Sequence, residues 1–106
     1  MKNKEQNKIM LGWTTVSEKA DAEKLVSNLL DMQIIACGQI EGPIDSFYNW
    51  DGELRRDQEW RVTIKFSAQK AEEVERVIKE IHPYKTPQWV SVMGGSTREY
   101  SGWVNG

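Results

Sequence analysis

Residues 47–66, FYNWDGELRRDQEWRVTIKF, decide the fold because they predict one long antiparallel hairpin. Asp51-Gly52 lies near the middle of the segment, and this dipeptide readily adopts the positive φ angles that a tight reversal needs. After the turn, apolar and polar residues alternate: Trp60, Arg61, Val62, Thr63, Ile64, Lys65 and Phe66. A period of two places the apolar set on one face of a strand. The hairpin therefore has more apolar surface than a turn needs, and we expect it to lie against other elements or other chains.

Before the hairpin, the pattern predicts a strand, a helix and a second strand. Residues 9–16 form the first strand, and Ser17 is the expected N-cap of the helix that follows. The helix has one apolar face, made by Ala22, Leu25, Val26, Leu29 and Leu30. The second strand runs over residues 34–50, and Gly42-Pro43 predicts a bulge or bend within it.

After the hairpin, a helix, a strand and a short tail helix are expected. Ser67 is the predicted cap of the second helix, whose apolar face consists of Val74, Val77, Ile78 and Ile81. His82-Pro83 should end it, because a residue before proline is disfavoured in the α region. Residues 88–93 predict the fourth strand, which the next two glycines should stop. Residues 97–104 predict a final helix with one apolar side: Tyr100, Trp103 and Val104.

The resulting order is β-α-β-β-α-β followed by a short C-terminal helix. Two helices on one face of a four-stranded antiparallel sheet form the ferredoxin-like sandwich of the α+β class. We therefore expect one such domain over residues 9–106, preceded by a disordered lead-in over residues 1–8. Because this fold carries many functions, the order leaves the activity open.

Composition excludes several classes of protein. The 106 residues carry a net charge of -2 with a pI near 5.4, which argues against general nucleic-acid binding because that requires a basic excess. No run approaches the roughly 18 apolar residues of a membrane span, so no membrane partner is expected. The polar N-terminal segment lacks the core of a secretory signal. With Cys37 as the single cysteine, no intramolecular disulfide forms, and a reducing cytoplasm is the expected location.

Two residues are candidates for metal binding. Cys37 follows three apolar residues in a strand, so it is either a small buried hydrophobic residue or a soft-metal ligand. His82, the only histidine, lies where a helix should end, as a plain helix-end residue or as a ligand. The paired spacings of a tight zinc site are absent, so a bound metal would need carboxylates, water or another subunit.

No catalytic motif accompanies these candidates. A triad would have to pair Cys37 with His82, and nothing in the spacing supports one, so we expect no enzyme. Asp57 and Glu59 share one strand face, as solvated residues of a hairpin edge often do. The segment His82-Pro83-Tyr84-Lys85-Thr86-Pro87 is the most specific in the chain: two prolines fix an extended loop, which is either a stiff connection or part of a site.

Several motifs together resemble the CutA family of divalent-cation tolerance proteins. In chain order they are Ala36-Cys37, Tyr48-x-Trp50-Asp51-Gly52, Glu59, Lys65, His82-Pro83-Tyr84-x-x-Pro87 and Tyr100-x-x-Trp103. The match covers nearly all of residues 9–105, and the motifs are specific in combination although each is weak alone.

The resemblance implies a compact homotrimer of ferredoxin-like subunits whose long hairpins and tails pack on neighbouring subunits. It further implies binding of copper or other divalent metal ions and a role in the response to them, with Cys37 and His82 as candidate metal ligands. A ligand pocket between subunits would be lined by Trp50, Glu59, Lys65, Tyr84 and Gln88. In this setting the five tryptophans of the short chain suit an interface.

The chain departs from the family pattern at several positions, and these departures weaken the hypothesis of metal binding more than the hypothesis of a trimer. Gln88 stands where a Glu usually follows HPYxxP, which removes an oxygen ligand for hard cations. Asp51 and Glu53 replace the Glu and Lys that usually flank the turn glycine, Phe66 replaces a common Thr, and Ile81 stands where some relatives carry a second His. The alternative function is a signalling-like small-ligand sensor or interaction module, in which Lys65 would hold a small anionic ligand in the cleft between subunits.

Overall fold

The computed structural model describes residues 7–106, which form four strands and three α-helices. In chain order these are β1 (Lys8–Val16), α1 (Lys19–Asp31), β2 (Cys37–Trp50), β3 (Glu53–Phe66), α2 (Ala71–Ile81), β4 (Val90–Gly95) and α3 (Arg98–Asn105). Strand β1 begins at Lys8, one residue before its predicted start. The predicted lead-in over residues 1–8 lies outside the described residues except for its last two positions.

The four strands form one antiparallel sheet in the order β2-β3-β1-β4. This order confirms the predicted ferredoxin-like α+β fold. Strand β1 pairs with β3 from Met10 opposite Phe66 to Val16 opposite Trp60. Residues of even number in β1 and β3 face helices α1 and α2, and those of odd number lie on the other side, which we call the open face.

The hairpin extends well past the rest of the sheet. Pairing of β3 with β1 stops at Trp60, whereas β2 and β3 stay paired to Trp50 opposite Glu53. Beyond that point the sheet is therefore a two-stranded ribbon, and the turn at Asp51 (φ 52°) and Gly52 (φ 77°) has the predicted positive angles. The register shifts between Glu41 and Ile44, where a bulge was expected at Gly42-Pro43.

The core lies between the sheet and helices α1 and α2, and it includes the fully buried Val62, Ile64 and Phe66 of β3. Two residues predicted for the apolar helix faces are exposed instead: Leu30 at 41% and Ile81 at 37%. Both occupy the last turn of a helix, Leu30 in α1 and Ile81 in α2.

The helix starts also differ from expectation. The N-cap of α1 is Glu18 rather than Ser17, and no side chain caps it by a hydrogen bond. Ser67 precedes a single 3₁₀ turn (Ala68–Lys70) that leads into α2, and its hydroxyl makes no capping bond. The apolar faces of α1 and α2, rather than side-chain caps, therefore account for the stability of these two helices.

Trp89 closes the core beside β4. Its ring stacks on Phe66 with 6.1 Å between ring centroids. The ring also lies directly over Gly12, where a side chain would overlap it. The fourth strand begins after this residue, at Val90, and it includes Gly94 and Gly95, which were expected to end it. Gly94 and Gly95 pair with Ile9 and Lys8, so the backbone ladder continues through the two glycines.

Helix α3 returns to the first strand. Thr97 caps it by accepting a hydrogen bond from the Tyr100 N–H at 3.1 Å. The Asn105 side chain donates to the Lys8 carbonyl at 3.0 Å, and Val104 is buried. Trp103, predicted on the same apolar side, is 59% exposed. Within residues 7–106, no helix has the length and hydropathy needed to cross a membrane.

Candidate functional site

A cavity of about 720 Å³ opens on the open face at the base of the hairpin. It forms where the pairing of β1 with β3 ends, so the ribbon makes one wall and the loop after α2 makes the other. Twelve residues line it: Thr15, Ser17, Tyr48, Trp50, Arg55, Asp57, Gln58, Glu59, Tyr84, Lys85, Thr86 and Gln88. The cavity has the size and the mixed aromatic and polar lining of a small-molecule site.

Two tyrosine–carboxylate pairs cross the cavity wall. The Tyr84 hydroxyl donates to Glu59 Oε2 at 2.8 Å, and the Tyr48 hydroxyl donates to Asp57 Oδ2. Burial and the bond to Glu59 raise the pKa of Tyr84, and the bond to Asp57 raises the pKa of Tyr48. Both phenols therefore stay protonated near neutral pH and act as donors to the carboxylates.

Glu59 is the most buried charged side chain of the cavity. It is 9% exposed, and among residues 7–106 no lysine, arginine or histidine forms an ion pair with it. Its Oε2 accepts from Tyr84, so Oε1 remains available to a ligand in the cavity. A carboxylate that is removed from water without a cation partner is costly, and a bound cation would offset that cost.

The cations of the cavity lie at its rim. Arg55 follows the same strand face toward the hairpin turn, where its Nη2 is 3.9 Å from Glu53 Oε2, and its side chain is half exposed. Lys85 is exposed in the loop after Tyr84. Glu59 is therefore buried, whereas the other charged residues of the lining, Asp57, Arg55 and Lys85, are exposed.

His82 anchors the loop that carries Tyr84, and it lies beneath the sheet rather than in the cavity. Its Nδ1 accepts from the Tyr84 N–H at 3.0 Å, so its proton is on Nε2, which donates to the Thr15 carbonyl at 2.9 Å. Nε2 also lies 3.0 Å from Thr14 Oγ1. Burial lowers the pKa of His82, so the ring is neutral at physiological pH and holds the loop against β1.

The two predicted metal ligands are not brought together in one chain. Cys37 pairs with Lys65 in the sheet and so shares the open face with it, whereas His82 contacts Thr14 on the helix side. Both His82 nitrogens are already hydrogen-bonded. In the part of the chain that the structure describes, no three His, Cys, Asp or Glu side chains are arranged to hold a metal ion. The residues of a single chain therefore do not fit a resident divalent metal.

Four of the five predicted pocket residues line the cavity: Trp50, Glu59, Tyr84 and Gln88. The fifth, Lys65, lies elsewhere on the open face, with its Nζ 5.4 Å from the centre of the Tyr100 ring. Eight lining residues were not predicted: Thr15, Ser17, Tyr48, Arg55, Asp57, Gln58, Lys85 and Thr86. Strand alternation could have identified Arg55, because Arg55 and Glu59 are both odd-numbered and so share one face of β3. Tyr48 pairs with Arg55 across the hairpin and therefore lies beside it on the same face.

A family model described as CutA1 divalent ion tolerance protein matches residues 10–106. The chain is 30% identical over 97 residues to the divalent-cation tolerance protein CutA of Pyrococcus horikoshii, and the match covers 91% of this chain and 94% of that protein.

Solved structures agree with the sequence match. The divalent ion tolerance protein CutA1 of Ehrlichia chaffeensis superposes with a TM-score of 0.87 at 29% identity, covering 91% of each chain. The protein described as the periplasmic divalent cation tolerance protein CutA of Archaeoglobus fulgidus gives 0.85 at 27% identity, covering 91% of this chain and 94% of that one. The similarity thus extends over the hairpin, the cavity and the C-terminal helix.

Proposed function

The chain belongs to the CutA1 divalent ion tolerance family, and on this premise we propose that it acts as a homotrimer in the response to divalent metal ions. The observation that carries the proposal is the two-stranded ribbon with the cavity at its base. A two-stranded hairpin is at best marginally stable alone in water, so it needs partners. Two other copies of the chain would cover the ribbon and close the cavity.

Exposed apolar side chains support assembly through the hairpin. Phe47, Trp50 and Leu54 are exposed by 64%, 54% and 75%, and all three lie on the ribbon. Aromatic residues are enriched in the buried parts of protein interfaces. Several exposed apolar side chains on one element typically mark an interaction surface. The proposed trimer buries them.

The proposed role is binding rather than catalysis. The only histidine has both ring nitrogens in hydrogen bonds within the chain, so it is poorly placed to exchange protons with a substrate. We place the protein in the cytoplasm because its single cysteine suits a reducing compartment. Cell fractionation tests this location directly, and recovery from the periplasm would contradict it.

Any metal contact would centre on Cys37 at the open face, with the remaining ligands supplied by other copies of the chain. A thiolate favours copper(I) or zinc over magnesium or calcium. Calorimetric titration of copper(I) and zinc into the wild type and Cys37→Ala tests this role. We expect the variant to bind these metal ions more weakly, and equal affinities would show that Cys37 is not a metal ligand. Light scattering of the same samples should report a mass about three times the 12.2 kDa of one chain.

A second candidate function is sensing of a small ligand, which the aromatic lining of the cavity favours. A thermal-shift screen of metabolites and metal ions separates the two candidates. A ligand at 100 times its dissociation constant adds about 2.7 kcal/mol of stability, which is readily seen as a raised melting temperature. A shift with metal ions alone favours the first candidate, and a shift with a metabolite alone favours the second.

A further inference from the structure

Glu59 and Asp57 form a pair of carboxylates on one wall of the cavity. They are two residues apart on β3, so their Cα atoms are about 7 Å apart and their side chains share the open face. Each carboxylate accepts one tyrosine hydroxyl, which fixes its orientation and leaves oxygen lone pairs toward the cavity. The wall therefore offers two anchored acceptors at a fixed separation.

Aromatic rings border these acceptors. Tyr84 and Tyr48 carry the hydroxyls that bind the carboxylates, and Trp50 lines the same cavity. Faces of aromatic rings attract ammonium groups, and their edges and faces suit an alkyl chain. The combination of carboxylate and aromatic ring differs from the oxygen-only shell that a hard metal ion requires.

We propose that this cavity binds an organic diamine, with one ammonium group on Glu59, the second on Asp57, and the alkyl chain against the aromatic rings. The proposal rests on the proposed function, in which the cavity is the ligand site. The buried Glu59 lacks a cation among the residues that the structure describes, and an ammonium group supplies one through a charge-assisted hydrogen bond. The spacers of 1,4-diaminobutane and 1,5-diaminopentane are comparable in length to the separation of about 7 Å between the two Cα atoms.

Other ligand classes fit the cavity less well. An anion would meet the buried Glu59 carboxylate, and the only cations of the lining that could attract it, Arg55 and Lys85, are exposed. A divalent metal ion would find two carboxylates on one wall and no third ligand of the usual kind in residues 7–106. The diamine is the class whose charges and apolar body both have partners.

Calorimetric titration of the full chain tests the proposal with 1,4-diaminobutane, 1,5-diaminopentane, butylamine, glutarate and magnesium chloride. We expect either diamine to bind at least ten-fold more tightly than butylamine, and no measurable heat from glutarate or magnesium. Binding of butylamine as tight as that of the diamines, or binding of glutarate alone, would overturn the proposal.

Variants locate the binding. Glu59→Gln retains an acceptor for Tyr84 and removes the charge, so diamine affinity should fall at least ten-fold, and Asp57→Asn should lower it as well. Glu53→Gln is the matched control, because Glu53 lies on the same face of β3 but outside the cavity lining. Equal diamine affinity in Glu59→Gln and Glu53→Gln would refute the assignment. Circular dichroism of each variant verifies that it folds. If Glu59→Gln does not fold, the diamine affinity of Asp57→Asn decides the test.

Light scattering on the same preparations separates this inference from the proposed function. A trimer that binds no diamine leaves the proposed function standing and overturns the inference. A monomer that binds diamines supports the inference and contradicts the proposed assembly. A monomer that binds none contradicts both.

Discussion

At the scale of single residues, His82 determines how the cavity wall is held. Its neutral ring accepts the Tyr84 N–H at Nδ1 and donates from Nε2 to the Thr15 carbonyl. Protonation would remove the acceptor at Nδ1 and place a charge in a buried site with 7% exposure. Burial lowers the pKa of His82 and is the largest influence on it. The negative charges of Glu59 and Asp21 act in the opposite direction, because they favour the protonated ring.

The lowered pKa predicts a loss of stability in mild acid. In the unfolded chain histidine titrates near its ordinary pKa of about 6.5, so below that pH the unfolded state binds more protons than the folded state. The free energy of unfolding should therefore fall as the pH drops from 7.5 to 5.5. Urea unfolding at fixed protein concentration measures the slope, and His82→Gln should flatten it. An unchanged slope in the variant would show that other groups titrate.

Gly12 is required because Trp89 lies against its Cα. An alanine Cβ at this position would overlap the indole, with Cζ3 only 2.8 Å away. Since Trp89 also stacks on Phe66, it has little freedom to move. We expect Gly12→Ala to cost about 1–3 kcal/mol of unfolding free energy, as overpacked cores do.

Gly95→Ala provides the control for Gly12→Ala, since a Cβ there meets nothing within 4 Å. It should change stability by no more than about 0.5 kcal/mol, which is typical of surface sites. Urea unfolding of both variants gives the comparison, and equal costs would contradict the role of Trp89.

The pocket residues were expected from the family resemblance, and the structure shows which of them lie together. Glu59 and Tyr84 were predicted for one pocket, and a hydrogen bond joins them. Lys65 lies on the same face of β3 as Glu59, but six residues of strand separate the two by about 20 Å. Assigning residues to a face gives no information about their distance along the strand. The burial of both His82 nitrogens depends on a loop conformation that no periodicity encodes.

At the scale of elements, Thr97 shows how one side chain sets a helix start. Its Oγ1 accepts the Tyr100 N–H, which satisfies one of the free amide groups at the start of α3. Thr97→Ala should lower the free energy of unfolding by about 1 kcal/mol. Thr97→Ser keeps the acceptor and should stay close to wild type. Chemical denaturation of the three proteins measures the difference, and similar losses in both variants would assign the effect to the threonine methyl group.

The buried face of β3 was predicted better than the burial of residues at the helix ends. Alternation in residues 60–66 correctly assigned the core face of β3, because a half-buried strand imposes a period of two. Leu30 and Ile81 fit the helical period equally well but are exposed, because the period alone does not determine which residues of a last turn the core covers. Gly94 and Gly95 continued β4 because backbone pairing with β1 does not depend on side chains.

At the scale of the whole molecule, the chain is more elongated than a compact domain of its size. Its radius of gyration is 15.1 Å, and its extents are 53 × 26 × 22 Å. A compact domain of this length would have a radius of gyration of about 13 Å. The ribbon produces the difference, since it extends past β1 with both faces free of helices.

In the ribbon, β2 and β3 pair only with each other, so we expect assembly to depend on the apolar side chains of the ribbon. Phe47 and Leu54 lie on one face of the ribbon, where Arg56 covers the Phe47 ring at 5.5 Å. In an isolated subunit, replacing such exposed residues would change stability by no more than about 0.5 kcal/mol each. In a trimer that buries them, charges at these positions would cost several kcal/mol because they would be desolvated without partners.

The double variant Phe47→Asp/Leu54→Asp should therefore shift the mass measured by light scattering from that of a trimer toward the 12.2 kDa of one chain. Leu30→Asp is the control: Leu30 is 41% exposed at the end of α1, away from the ribbon, and its variant should remain assembled. Because dissociation follows mass action, both proteins are compared over the same range of concentrations. A fully assembled double variant would place the subunit contacts elsewhere, on the open face of the sheet, where Val90 and Val92 are also exposed.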